Sequence, residues 1–147
     1  MPRYSAGVKT GAGSTTLPLV SLYAAAAVGA KIREIGITNT TATAFDVKLV
    51  RLTSADGQGT ALTEAKHDPD SAAAACAAFS THSGSPQPTL GDDLGYRASI
   101  GAAIGAGVIW TFGDQGIRIP TGVANGVGVI VENGTGQAAQ AYIVWDE

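Results

Sequence analysis

His67, Asp68 and Asp70 stand together in the tetrapeptide HDPD, and an imidazole beside two carboxylates is a donor set that can hold a metal ion. The spacing matches no established ligand pattern, and Asp-Pro followed by Ser71 is ordinary turn chemistry. The reading is therefore a turn, with an ion site at His67, Asp68 and Asp70 as its rival. Asp92 and Asp93 follow Gly91, but adjacent carboxylates usually point apart. Cys76, His82 and Asp92 name the parts of a thiol-catalytic set. Cys76, however, lies among alanines, where a small buried thiol is the expected state. TGAGST at Thr10–Thr15 lacks the lysine of a phosphate loop, and no Gly-Xaa-Ser-Xaa-Gly elbow occurs. GAAIGAGVI, from Gly101 to Ile109, looks like a dinucleotide fingerprint but has no helix to follow it. Neither catalysis nor a cofactor is expected.

Trp110 and Trp145 carry a different chemistry. Exposed on a sandwich, such rings stack on sugars, which would make the chain a carbohydrate-binding module. Trp110 falls inside an apolar strand and Trp145 ends another, so core or subunit-interface roles come first. Trp110, Arg118, Tyr142 and Trp145 are the interface candidates, with the Tyr142–Trp145 stretch as the place for a hot spot. Arg97, Arg118 and Glu132 are available for ion pairs between copies.

The elements that must position these residues are strands. KIREIGITNTTATAFDVKLVRLT, from Lys31 to Thr53, reads as two strands joined by a polar turn at Asn39–Ala42, a hairpin. Ile35 and Ile37 alternate with Glu34 and Thr38; Phe45, Val47 and Leu49 alternate with Asp46 and Lys48. That period of two is what a sheet with one covered face requires. Further strands are expected over 17–23, 60–66, 96–100, 107–112, 117–119, 127–131 and 139–145. In the last, Tyr142 and Val144 share one face and Ile143 and Trp145 the other, so both faces should be covered. Residues 3–8 form an edge strand or an arm, and 1–16 as a whole a flexible arm or edge segment before a single domain at 17–147. Ala72–Phe79 is open between a short helix and extended chain, since eight small residues make a marginal helix. About eight to ten short strands with glycine-rich turns and no recurring helix describe an all-β antiparallel sandwich, jelly-roll-like in strand count.

Composition sets bounds. The 147 residues make one domain with a sizeable core. Charged residues are only 14%, far fewer than the roughly 25% of typical globular chains. So little charge leaves part of the surface to uncharged polar groups or to other subunits, and a homo-oligomer is expected. The net charge is −3, and the nine basic residues are scattered, which argues against direct nucleic-acid binding. No apolar run is long enough to span a membrane, and MPRYSAG does not look like a secretory leader.

Three segments resemble a known group: AAAAVGAKIREIGITNTTAT, GAAIGAGVIWTFGDQGIRIP and AYIVWDE. They are similar to small proteins encoded by tailed bacterial viruses among their head and virion structural genes. IWTF followed by GDQGIRIP and the terminal VWDE are the distinctive parts. The resemblance runs from Leu17 onward and implies a β-sandwich that decorates or cements the capsid exterior, as a trimer that touches the major capsid protein. A tail- or fibre-associated virion module is the alternative in the same setting. No catalytic residue carries over.

Overall fold

The computed structural model describes all 147 residues. Twelve strands and no helix make up the chain: β1 (Arg3–Lys9), β2 (Val20–Tyr23), β3 (Ala30–Asn39), β4 (Phe45–Leu52), β5 (Thr60–Ala61), β6 (Ala65–Lys66), β7 (Ala77–Ser80), β8 (Leu90–Ile100), β9 (Gly107–Thr111), β10 (Ile117–Ile119), β11 (Gly126–Asn133) and β12 (Ala139–Asp146). All pair antiparallel in two sheets. One runs β10-β3-β12-β1-β6, with β9 beside β10 along β3; the other runs β5-β7-β2-β11-β4-β8.

Without β5, β6 and β7, the orders become β1-β12-β3-β9/β10 and β2-β11-β4-β8. Strands from the two ends of the chain interleave in both layers, as two Greek keys folded together require, so the sandwich is jelly-roll-like. The stretch between β4 and β8 supplies the three extra strands. Its β7 and β5 extend one sheet beyond β2, and its β6 extends the other beyond β1, so a single excursion covers one side of the sandwich. The opposite side, where β8 and β9 form the sheet edges, has no such cover.

The expected strands of Lys31–Thr53 are present, but they are not a hairpin. β3 lies in one sheet and β4 in the other, so Ile35 and Ile37 face Phe45, Val47 and Leu49 across the core, and all five are buried. Asn39 makes the crossing possible. Its buried amide donates to the carbonyls of Thr43 and Gly101, each at 2.9 Å, and its Oδ1 accepts from the Thr41 backbone N at 2.8 Å. An arch between sheets leaves backbone groups without ladder partners, and a buried side-chain amide satisfies them.

Two open readings are settled by packing. Residues 3–9 form a full strand, hydrogen-bonded to β12 along its length and to β6 at Tyr4 and Ser5, with Tyr4 and Ala6 buried. Beyond it, Gly13 donates to the Gln137 carbonyl at 2.8 Å, so the following loop is tied to the sandwich rather than free as an arm. Ala72–Phe79 forms no helix: residues 72–76 are irregular, Ala77–Ser80 is strand, and Ala78 lies fully buried opposite Leu22. Burial in a sheet outweighs the alanine run's weak preference for helix.

Candidate functional site

The three segments that carry the resemblance converge on one knot of polar contacts. β3 takes a register shift against β12 at Arg33, opposite Val144 and Trp145. The bulge turns the Arg33 guanidinium onto Asp146, with Nε donating to Oδ2 at 2.5 Å. The same guanidinium donates to the carbonyl of Gly113 at 2.8 Å and to that of Asp114, so the GDQG turn is held against β3. Gly116 closes that turn at φ +61°, where a Cβ would lie 2.7 Å from the Ile32 carbonyl oxygen. From the other side Arg3 donates to Asp146 twice, at 2.7 and 3.1 Å. Burial by itself would push the Asp146 carboxyl up, but the bonds from Arg3 and Arg33 outweigh it and hold its pKa below the usual value of 3.8.

Glu147 completes the knot. Its carboxylate accepts from the backbone N of Ala75 at 2.8 Å, from that of Cys76 at 2.9 Å, and from the Trp145 indole at 3.0 Å. VWDE is thus a structural signature: a ring in the core, a carboxylate between two arginines, and a carboxylate that orders the loop before β7. Asp146→Ala is expected to lower stability by about 2 kcal/mol, because charge-assisted bonds are lost and the half-buried Arg33 is stranded. Arg3→Ala, which removes a more exposed partner, should cost under about 1 kcal/mol. Urea unfolding midpoints check both, and an unchanged midpoint for Asp146→Ala would mean that the knot holds nothing.

The sets proposed for chemistry do not assemble. His67, Asp68 and Asp70 are exposed on one turn, where Asp68 Oδ1 accepts the Asp70 backbone N at 3.0 Å and the Asp68 carbonyl accepts that of Ser71 at 3.1 Å. No three His, Cys, Asp or Glu side chains come together as a metal-binding group. Cys76 precedes β7 and His82 follows it, and they bond apart: the Cys76 thiol to the Val28 carbonyl at 3.5 Å, the His82 ring to Ser21. Burial pushes the Cys76 thiol up to about 12, far from a thiolate nucleophile. Asp92 is exposed on β8, beside Arg51 and Asn125.

His82 instead meets a residue that the sequence did not single out. Its Nε2 lies 2.8 Å from the Oγ of Ser21 on β2, and both are buried. A serine and an imidazole at that distance suggest a nucleophile and its base. Yet no carboxylate orients the ring; the backbone of Pro18 is the one neighbour that favours its proton, and burial outweighs it, lowering the His82 pKa to about 4. Ser21 is wholly enclosed. The pair is core structure.

The interface candidates divide. Trp145 is fully buried, its ring 5.8 Å from that of Tyr4, and leaves no face for a neighbour or a sugar. Trp110 is 8% exposed and packs edge-on against Tyr96, which also meets Phe112 at 4.9 Å. Tyr142 lies on the outer face of its sheet, half-buried, over Gly36, where a Cβ would come within 2.1 Å of the ring. Its hydroxyl donates to Glu34 at 2.5 Å, and burial together with that bond raises its pKa to about 12. Arg118 is exposed, and its carbonyl accepts from Arg51 at 2.5 Å. Arg97 and Glu132 pair within the chain, with Asp93 and with Lys48 at 3.7 Å from Glu132.

What remains is the uncovered side. Ala98–Gly113 holds no charged residue, and it carries Ile104 at 78% and Ile109 at 62% exposure. Tyr96, 39% exposed, precedes it on β8. The absence of charge is the signal that the sequence offers for this surface.

No family model matches the chain, and no curated protein matches it. Among solved structures, one chain described as "Structure of infectious bursal disease virus Gx strain" aligns with 97% of this chain at 16% identity and a TM-score of 0.20. This chain spans 38% of that one's length. A superposition this loose carries no argument about fold or function.

Proposed function

We propose that this protein is a non-enzymatic structural component of a virion that binds the exterior of a capsid shell. One observation carries the reading: the uncapped side of the sandwich presents an uncharged segment, Ala98–Gly113, with the large apolar side chain of Ile104 standing free at its loop. Isolated exposed hydrophobics are common, but a charge-free run with two of them on a sandwich edge is the composition of a contact surface. Such a surface works in a cement protein because each contact is repeated over many copies and each copy bridges neighbours. The resemblance of KIREIG, GDQGIRIP and VWDE to virion proteins points the same way. A tail or fibre module would use the same surface at another place in the particle. The sugar-binding reading loses its basis, since both tryptophan rings are buried.

Ile104→Asp tests the proposal. Because the side chain is exposed, its melting temperature should match that of the unsubstituted protein. Co-sedimentation with undecorated capsids should weaken at least tenfold, since a carboxylate would be desolvated at the contact. Undiminished binding to heads, or particle imaging that places every copy on the tail, would overturn the capsid-exterior assignment.

A further inference from the structure

Sheet edges expose backbone donors and acceptors to any passing strand, and proteins guard them with charge, proline, bulges or brevity. The other edges here are guarded. β5 and β6 are two residues each. β8 is eleven residues long but carries Asp92, Asp93 and Arg97, and its pairing with β4 shifts register twice. The uncovered end of β1 finishes at Lys9, and β10 holds Arg118 and runs into Pro120. β9 has none of these devices. Its five residues, Gly107-Val108-Ile109-Trp110-Thr111, are uncharged, and only β3 pairs with it.

We propose that β9 pairs antiparallel with β9 of a second copy, about a two-fold axis at Ile109. This goes beyond capsid binding and holds with or without a capsid. A two-fold axis at the middle residue sets the strand against itself: Ile109 meets Ile109, Val108 meets Trp110, and Gly107 meets Thr111. No charge is set against a like charge in that register, which is what an isologous contact needs. Ile109 stands on the outer face of its sheet, in the row Gly7, Tyr142, Gly36, Ile109 that crosses β1, β12, β3 and β9. Pairing would join two six-strand sheets into one continuous face and cover the exposed Ile109 of each copy with that of the other. Five residues a side is a small contact beside the roughly 20–30 of a standard interface, so the dimer is expected to be weak and to form at high protein concentration.

The experiment is sedimentation equilibrium of the full chain at tens to hundreds of micromolar. The unsubstituted protein should approach twice the 14.7 kDa chain mass. Ile109→Lys and Ile109→Glu should each sediment as monomers at the same concentrations, with melting temperatures unchanged. A one-to-one mixture of the two should recover the dimer mass, because the opposed charges then meet across the axis. A monomeric unsubstituted protein, a trimer, dimers that persist in either variant, or a mixture that stays monomeric would each overturn the pairing.

Discussion

Trp145→Ala is expected to destabilise the protein by about 4 kcal/mol, the largest effect of any single truncation here. The indole is fully buried, so its removal forfeits the transfer free energy of a large aromatic surface and leaves a cavity. Two further losses follow from its neighbours. Tyr4 is also buried, and its ring would lose the contact at 5.8 Å. Glu147 would lose the indole donor while still holding the backbone of Ala75 and Cys76. Trp145→Phe separates these terms: it keeps most of the apolar volume and drops the hydrogen bond, so about half the loss should return. Typical domains have only about 5–15 kcal/mol in all, so the alanine variant should show a large drop in urea midpoint. A loss below about 1 kcal/mol would mean that the ring is not the centre of the core.

The strands were legible in the sequence because a half-buried strand must alternate. Ile35 and Ile37, and Phe45, Val47 and Leu49, are all buried as their spacing requires. Which sheet each strand joins was not legible. Two successive strands show the same alternation whether they lie side by side or face each other across a core. The turn between β3 and β4 reads as a hairpin for that reason, and what makes it an arch, the Asn39 amide bonded to Thr43 and Gly101, shows only in the structure. Ala72–Phe79 was ambiguous for a related reason: alanine fits helix and tight sheet packing equally, and the neighbour decides. In the last strand the two faces were assigned correctly, with Ile143 and Trp145 inward and Tyr142 and Val144 half-covered outside.

The structural part played by the distinctive motifs is not legible in the sequence. Arg33 binds GDQG and VWDE together as scaffold, which local spacing cannot show across 80 residues of chain separation between Arg33 and Gly113. The same holds for His82, whose partner Ser21 is 61 residues away. The uncharged run at Ala98–Gly113 was visible all along, but its meaning depends on β8 and β9 ending at the side that the excursion after β4 leaves uncovered.

His82 should make the fold acid-sensitive well above the range in which carboxylates protonate. Burial lowers its pKa from 6.5 to about 4, so the folded protein keeps the ring neutral while the unfolded chain binds a proton as pH falls through 6.5. The unfolded state then binds more protons, and stability must drop with falling pH across that window. It is complete above pH 6.5, declines by up to 1.36 kcal/mol per unit, and levels off near pH 4, a loss of about 3 kcal/mol. The hollow beside the ring, formed by Thr10, Gly11, Ala12, Leu17, Pro18, Leu19 and Thr81, contains no carboxylate to stabilise the cation. Asp93 and Asp146 act lower down. Both pKa values lie below 3.8, so their stabilisation persists through the histidine window and fades only as pH falls through the folded values. Chemical unfolding at half-unit steps from pH 7.5 to 4 measures the slope, and His82→Gln should flatten it, whatever that substitution costs at neutral pH. If the variant kept the same slope, the acid sensitivity would belong to another group, and the buried imidazole would have to be charged in the folded protein.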